Sequence, residues 1–159
     1  MSTPLSFVWK PANVRLVVID GFVPIPRGAS SLPPIFLNWS SKDPRDVLDY
    51  QLDIRPALVG NEGDKMEYID LDIFPNQPGD LSADNTLADG SKLIIWFSGG
   101  RAGTTYNITV KISLTSGRII QRTILLPVIA LSNMSVPQNS IETTAQQPLT
   151  DQDGNYILY

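Results

Sequence analysis

The feature that most constrains this chain is a strict alternation of apolar and polar residues over residues 105–114. Tyr106, Ile108, Val110, Ile112 and Leu114 alternate with threonine, asparagine, lysine and serine. Such a pattern predicts a strand with one buried and one solvated face. Burial of the apolar row contributes about 1.5–3 kcal/mol per residue, whereas ordering about ten residues costs about 1.5 kcal/mol apiece. Because the two amounts nearly cancel, this strand requires a sheet and a second apolar layer.

Turn-forming residues interrupt the rest of the chain. Thirteen prolines and eleven glycines leave no sustained helical period. The best helical candidate is Asp43–Asp49, with Asp43 as N-cap and Pro44 at the first helical position, and it is one turn at most. Short alternating or apolar runs predict strands instead, joined in one place by a hairpin turn that contains Gly117. We expect strands at residues 14–19, 48–54, 69–73, 93–97, 105–114 and 118–126.

Several short strands without helices predict an all-β protein. We expect an immunoglobulin-like antiparallel β-sandwich over residues 40–131. Residues 1–39 are rich in proline, which favours an extended N-terminal arm. Residues 132–159 are polar, and ordering them would cost about 40 kcal/mol with few apolar side chains to offset it. We therefore expect an extended C-terminal tail that lies on a partner.

Composition excludes several function classes. The chain has neither cysteine nor histidine, which rules out disulfides, thiol nucleophiles, Cys/His zinc sites and histidine-dependent triads. A net charge of −4 and the lack of a compact basic segment argue against a nucleic-acid partner. Lys10 and Arg15 interrupt any apolar block of a signal peptide, and the longest apolar run is too short to span a bilayer. We expect a soluble, cytoplasmically synthesised protein with no membrane partner.

The glycine cluster at residues 99–103 resembles part of a phosphate-binding loop. Such a loop requires a following helix whose N-terminus faces the anion, whereas an alternating strand follows here. We therefore expect a strand-to-strand connection and no cofactor. Tyr106 at the start of that strand has two equally supported interpretations. It bonds back to upstream backbone, as in immunoglobulin-like sandwiches, or it is an ordinary inward tyrosine.

Clusters of aspartate are the candidates for metal or acid–base chemistry. Asp70 and Asp72 share a strand face, and Asp80, Asp84 and Asp89 are spread through the next segment. Their spacing matches no calcium-loop signature, and residues 151–155 begin such a loop without its terminal glutamate. Nothing singles out a catalytic carboxylate pair. We expect solvated edges and turns, no metal site and no enzymatic activity, although the sequence leaves calcium binding by an acidic loop open.

Large aromatic residues are the candidates for a protein interface. Trp9 and Trp39 lie in or beside the N-terminal arm, Trp96 lies on a strand that is apolar on both faces, and Tyr156 and Tyr159 lie in the tail. Tryptophan and tyrosine frequently anchor interfaces. The alternatives are that Trp9 and Trp39 cap the sandwich, and that Trp96 is buried in the core rather than between subunits.

Residues 38–129 resemble the fiber-tail adaptor proteins of tailed phages. The resemblance rests on Lys42-Asp43-Pro44, Leu48-Asp49-Tyr50, the segment from Gly99 to Tyr106, and the hairpin Thr115-Ser116-Gly117-Arg118, whose turn is one residue shorter than the family pattern. It implies a non-enzymatic virion protein that joins tail or neck to fibers or neighbouring tail proteins. The implied partners are nozzle or neck proteins, other adaptors, fibers, portal-associated proteins and further copies in a homo-oligomeric ring.

Two other functions are compatible with the residues alone. A capsid decoration protein would have the same fold but a different location in the virion. A carbohydrate-binding module would use exposed tryptophans and acidic loops. Copy number per virion separates the first alternative from an adaptor, and exposure of the tryptophans bears on the second.

Overall fold

The computed structural model describes residues 9–19 and 37–132, and two β-sheets account for most of them. Short 3-10 helices lie at Asn13–Arg15 and Arg55–Leu58. The strands, in chain order, are β1 Leu16–Val18, β2 Leu37–Asn38, β3 Leu48–Asp53, β4 Met66–Phe74, β5 Leu81–Asp89, β6 Lys92–Gly99, β7 Thr104–Leu114 and β8 Ile119–Val128.

The strands form two four-stranded sheets that face each other. The first sheet has the order β1-β3-β6-β5 and the second has the order β2-β8-β7-β4. The expected all-β sandwich is confirmed. The expectation of purely antiparallel sheets is wrong, because β1 runs parallel to β3 and β2 runs parallel to β8. Neither of these edge strands is joined to its neighbour by a hairpin, so nothing local imposes an antiparallel direction. The immunoglobulin-like topology stays a prediction.

Most predicted strands are present, and the differences have physical causes. The helical candidate at residues 43–49 is wrong: residues 44 and 45 form a turn, and β3 begins at Leu48 to pair with β6. Strand β5 has no apolar alternation, because it lies at a sheet edge with most of its residues exposed. The sequence of this segment therefore predicts an edge and turns, whereas the structure has a nine-residue strand.

The core lies between the inner rows of the two sheets. Trp39, which follows β2, closes one part of it by contacting the rings of Tyr50 at 5.5 Å and Phe97 at 5.7 Å. Its indole Nε1 donates to the Gln51 carbonyl oxygen at 2.9 Å, so the only polar atom of the side chain is satisfied. The buried inner rows comprise Val17, Tyr50, Leu52, Leu93, Ile95 and Phe97 in the first sheet, and Tyr106, Ile108, Val110, Ile112, Leu114, Ile124, Leu126 and Val128 in the second.

Part of this core comes from the chain before residue 40. Val17 of β1 and Ile19 after it are buried in the common cluster, and Leu37 of β2 packs against it. The segment expected as an arm thus contributes one edge strand to each sheet. Parallel pairing places Val17 beside Leu52, which continues the inner apolar row of β3.

Two glycines of the predicted loops take a left-handed conformation for different reasons. Gly117 has φ +84° in the β7–β8 hairpin, and a Cβ there would meet no atom of the described residues within 4 Å. Gly100 has φ +95° between β6 and β7, and a Cβ there would lie 2.9 Å from Val128 Cγ2 and 3.3 Å from the Tyr106 ring. The turn geometry alone therefore requires Gly117, whereas Gly100 is also required by close packing.

These two sites allow strain and packing to be separated. We expect Gly117→Ala to lower the free energy of unfolding by about 1–2 kcal/mol, the cost of a left-handed non-glycine residue. Gly100→Ala adds overpacking, which costs about 1–3 kcal/mol more. Denaturant unfolding of both variants measures the difference. Equal losses at the two positions would show that the Val128 contact does not constrain residue 100.

Candidate protein-interaction surfaces

A buried lysine ties together the end of the sandwich where the chain enters and leaves it. Lys42 is fully buried, and its Nζ donates to the carbonyl oxygens of Asp43 and Gly99, both at 2.7 Å. Its backbone pairs with the end of β8, donating to the Pro127 carbonyl and accepting from Ile129 N–H. Burial lowers the pKa of Lys42. The side chain thus joins the start of the domain to the glycine loop after β6.

The neighbouring carboxylate orients the chain after β8. Asp43 accepts hydrogen bonds from the backbone N–H groups of Arg45 at 2.9 Å, Leu131 at 2.7 Å and Ser132 at 2.7 Å. The bond from Arg45 N–H is the main cause that holds the pKa of Asp43 well below its usual range, and the bonds from Ser132 and Leu131 add to it. Residues 131–132 therefore leave the sandwich from a position defined by Asp43.

The connection between β6 and β7 is locked by a tyrosine. Tyr106 Oη accepts from Arg101 N–H at 2.9 Å and donates to Asp80 at 2.8 Å. Arg101 also pairs with Asp80 at 3.1 Å and donates to the Pro78 carbonyl at 2.9 Å. Of the two interpretations of Tyr106, the bond to upstream backbone is the one observed. The glycine cluster is a strand-to-strand connection, as predicted, built against this tyrosine.

A second polar cluster organises the opposite end of β7. The Asp64 carboxylate accepts from Thr115 Oγ1 at 2.8 Å, from Ser116 N–H at 3.0 Å and from Arg118 Nη2 at 2.7 Å, and it also accepts from the Ser116 hydroxyl. The Ser116 hydroxyl is the leading cause of a pKa well below the usual range for Asp64. Asp64 has no signal in the sequence, because its partners lie 51–54 positions away along the chain.

The N-terminal segment covers the outer face of the first sheet. Three outward residues of β3, namely Asp49, Gln51 and Asp53, are buried although they are polar. Asp49 forms an ion pair with Arg15 and accepts from Ala12 N–H at 3.1 Å, and Gln51 donates to the Ala12 carbonyl at 2.8 Å. These bonds satisfy polar groups that burial would otherwise leave without partners.

The three tryptophans lie in different environments. Trp39 is in the core, which is the capping alternative and not an exposed anchor. Trp96 is half-buried on the outer face of β6, where the ring of Trp9 lies 5.5 Å from it. Trp9 itself remains 41% exposed. Tyr156 and Tyr159 lie outside the described residues.

A groove of about 670 Å³ lies at the end of β3. Val18, Pro56, Leu58 and Val59 line its apolar part. Its carboxylate Asp53 is bound by Arg55 Nε at 2.9 Å. Burial opposes ionisation of Asp53, yet hydrogen bonds from Arg55 hold the pKa of the carboxyl below its ordinary value. The groove is therefore an apolar depression whose buried carboxylate already has a partner.

The described residues bring no three His, Cys, Asp or Glu side chains into a metal-binding arrangement. Asp70, Asp72, Asp84 and Asp89 are exposed on the edge strands β4 and β5, whereas Asp80 is bound to Tyr106 and Arg101. Within residues 9–19 and 37–132, no helix is long and apolar enough to cross a membrane.

Comparison with known proteins gives one family. A family model described as "Podophage GP4 fiber-tail adaptor protein gp77" matches residues 42–127. No curated protein matches the chain. The matched residues extend from the buried Lys42 to Pro127 near the end of β8, and they include the Asp64 cluster and the Tyr106 lock.

We expect Tyr106→Phe to destabilise the fold. The substitution removes the hydroxyl between Arg101 N–H and Asp80, and an unsatisfied buried group costs about 1–3 kcal/mol. Tyr68→Phe is the matched control, because Tyr68 is 67% exposed on β4. An exposed substitution changes stability by about 0.5 kcal/mol at most. Denaturant unfolding of both variants measures the effect, and equal stabilities would contradict the proposed lock.

We expect the Asp64 cluster to weaken in acid. Since the folded-state pKa of Asp64 is lowered, its contribution to stability is complete above the unfolded-state pKa of about 4 and is lost as the pH falls further. Asp64→Asn cannot titrate, so its stability deficit relative to the parent should be largest near pH 7 and shrink below pH 4. Denaturant unfolding across this range measures the deficit. Asp89→Asn, an exposed change of equal charge, is the control, and a deficit independent of pH would contradict this role.

Proposed function

This chain belongs to the podophage GP4 fiber-tail adaptor protein family gp77, which makes it a structural protein of a phage tail, and we propose that it joins tail or neck to fibers or neighbouring tail proteins. The sandwich is the rigid body of the adaptor in this proposal. The terminal segments, residues 1–8 and 133–159, carry contacts to neighbours. The observation that carries the proposal is the family match over the sandwich.

The roles of the shared sequence patterns support a structural function. Lys42 and Asp43 hold the chain where it enters and leaves the sandwich, Tyr106 locks the β6–β7 connection, and Thr115-Ser116 with Arg118 surround Asp64. Each of these groups bonds to another part of the same chain. The family pattern thus coincides with groups that stabilise shape, which is what a scaffold in an assembly requires.

The absence of catalysis is part of the proposal and has a physical basis. The carboxylates of Asp43, Asp53, Asp64 and Asp80 all have lowered pKa values, because internal donors stabilise their charged forms. A general acid or base works best with a pKa near the operating pH. Lys42 has a lowered pKa, but its side chain is fully buried against two carbonyl oxygens. None of these groups is available to an incoming substrate.

Both ends of the described sandwich have defined exit points. Arg15 and Ala12 hold the N-terminal segment on Asp49 and Gln51, and Asp43 holds residues 131–132. A segment that starts from a fixed point is confined to neighbours within its contour length, about 3.3–3.6 Å per extended residue. This supports contacts between the terminal segments and adjacent virion proteins, including further copies arranged in a ring.

Aromatic groups supply candidate anchors within this proposal. Trp9, whose ring is tilted by 40° against that of Trp96, forms with it an amphipathic surface on the first sheet, and Tyr156 and Tyr159 would contribute from the tail. Trp39 is excluded from this set by its burial. A carbohydrate-binding module is not favoured, because Trp39 is buried, Trp96 is half-buried and Trp9 is only 41% exposed.

We expect deletion of residues 133–159 to leave a folded sandwich that enters virions much less than the full chain. The expected core lies within the described residues, so thermal unfolding followed by circular dichroism should change little. Incorporation is measured by mass spectrometry of virions complemented with each variant. Normal incorporation of the truncated chain would contradict the role given to the tail.

Finer variants test the aromatic anchors. Tyr156→Ser with Tyr159→Ser should reduce incorporation, whereas Gln146→Ser with Gln147→Ser changes two polar tail residues and serves as the control. The copy number in the same virions separates the alternatives. A small closed ring supports an adaptor, and very many copies on the capsid would support a decoration protein instead.

A further inference from the structure

The outer edge of β4 is one of the open sheet edges among the described strands. This nine-residue strand, Met66–Phe74, ends the second sheet and pairs on one side with β7, and no other described strand adjoins it. Its inward residues Ile69, Leu71 and Ile73 are only half-buried, although they pack against the core. A sheet edge of this length presents unpaired backbone donors and acceptors to another strand.

The outward row of β4 has a symmetrical composition. It reads Tyr68, Asp70, Asp72 and Phe74, with the two aromatic residues each 67% exposed. Asp70 lies opposite Lys111, whose Nζ is 3.8 Å away in an exposed pair, and Asp72 lies opposite Thr109. An exposed ion pair at that distance contributes little. Two carboxylates between two aromatic side chains therefore face solvent at this edge.

The segment that contains β4 and β5 carries charge of one sign. Residues 66–91 contain six acidic residues and no lysine or arginine. Of these, Asp80 is bound to Arg101, and Asp84 and Asp89 lie exposed on β5, which ends the first sheet. The strands β4 and β5 thus place a concentration of carboxylates on one side of the sandwich, in a chain whose net charge is only −4.

This charge selects between possible occupants of the edge. A second copy paired antiparallel through β4 would bring Asp70 and Asp72 against the same carboxylates, and like charges directly opposite are destabilising. The C-terminal residues 132–159 contain Glu142, Asp151 and Asp153 and no basic residue, so they are disfavoured for the same reason. Opposite charges across strands are favourable, so a basic strand fits this edge.

We propose that the free edge of β4 accepts a β-strand from a different virion protein, with lysine or arginine opposite Asp70 and Asp72. The apolar residues on the other face of that strand would cover Ile69, Leu71 and Ile73, and large side chains at its ends would meet Tyr68 and Phe74. Backbone hydrogen bonds supply affinity in this mode, and the side-chain row supplies specificity. The inference builds on the adaptor role and names the chemistry of one partner.

The test uses the purified full chain and a synthetic peptide, acetyl-Tyr-Val-Lys-Val-Lys-Val-Tyr-amide, at physiological salt. A control peptide has glutamate in place of both lysines. We expect the lysine peptide to bind, and hydrogen exchange of β4 amides to slow in the complex while that of β5 does not. Binding that is equal for the two peptides, or protection that maps to β5, would overturn the proposal.

Charge reversal gives the sharper result. Asp70→Lys with Asp72→Lys should weaken binding of the lysine peptide about tenfold and admit the glutamate peptide, since two cross-strand pairs change sign. Asp84→Lys with Asp89→Lys makes the same change in net charge on β5, which belongs to the other sheet and is not part of the pairing row. That control should leave the lysine-peptide affinity nearly unchanged. Equal losses in both double variants would show that only net charge matters and would refute a specific edge site.

The adaptor function and the strand-binding edge of β4 are tested by independent experiments. The peptide experiment involves no tail residue and no other virion protein, so its failure leaves the incorporation result for residues 133–159 as it stands. All four substituted residues are exposed, so both double variants should fold. Circular dichroism of each variant distinguishes a loss of binding from a loss of folding.

Discussion

The whole structure depends on the mutual burial of two inner apolar rows. Neither sheet alone would bury enough apolar surface to be stable. The inner row of each sheet packs against the inner row of the other, and Trp39 lies between them. This requirement explains why strands from distant parts of the chain meet in the sandwich. It also explains why the N-terminal residues contribute edge strands: Val17 continues the inner row of β3, and Leu37 contacts the same core from the second sheet.

Polar groups then determine how the ends of the sandwich are shaped. Lys42, Asp43 and Tyr106 hold loops and chain ends at one set of connections, and Asp64 holds the hairpin between β7 and β8. Buried polar groups are tolerated only when their hydrogen bonds are satisfied, which links each side chain to particular backbone atoms. The result is a rigid body with defined exit points, suited to an assembly role. The same interactions occupy the polar atoms of these side chains within the fold.

Parts of the surface differ in their charge and in whether other residues cover them. The outer face of the first sheet is partly closed by residues 9–15, with Trp9 over Trp96. Among the described strands, none adjoins the outer edge of β4 or of β5, and these two strands contain acidic residues but neither lysine nor arginine. A single sign of charge protects such edges against pairing between copies, and it leaves them accessible to a strand of opposite charge. The same negative charge can therefore oppose pairing between copies and favour binding of a basic strand.

The sequence by itself determined the fold class, most strands, the glycine connection and the β7–β8 hairpin. These features rest on local rules: side-chain alternation along a strand and the conformational freedom of glycine. Its resemblance to fiber-tail adaptors also identified the family. Tertiary structure alone decided the parallel edge strands, the strand β5, the burial of Lys42 and the Asp64 cluster. Each of these depends on partners tens of residues away, and β5 has no apolar period because its edge position leaves it exposed. Alternation predicts which face of a strand is buried, but only the assembled sheets determine which strand lies beside it and what covers the opposite face.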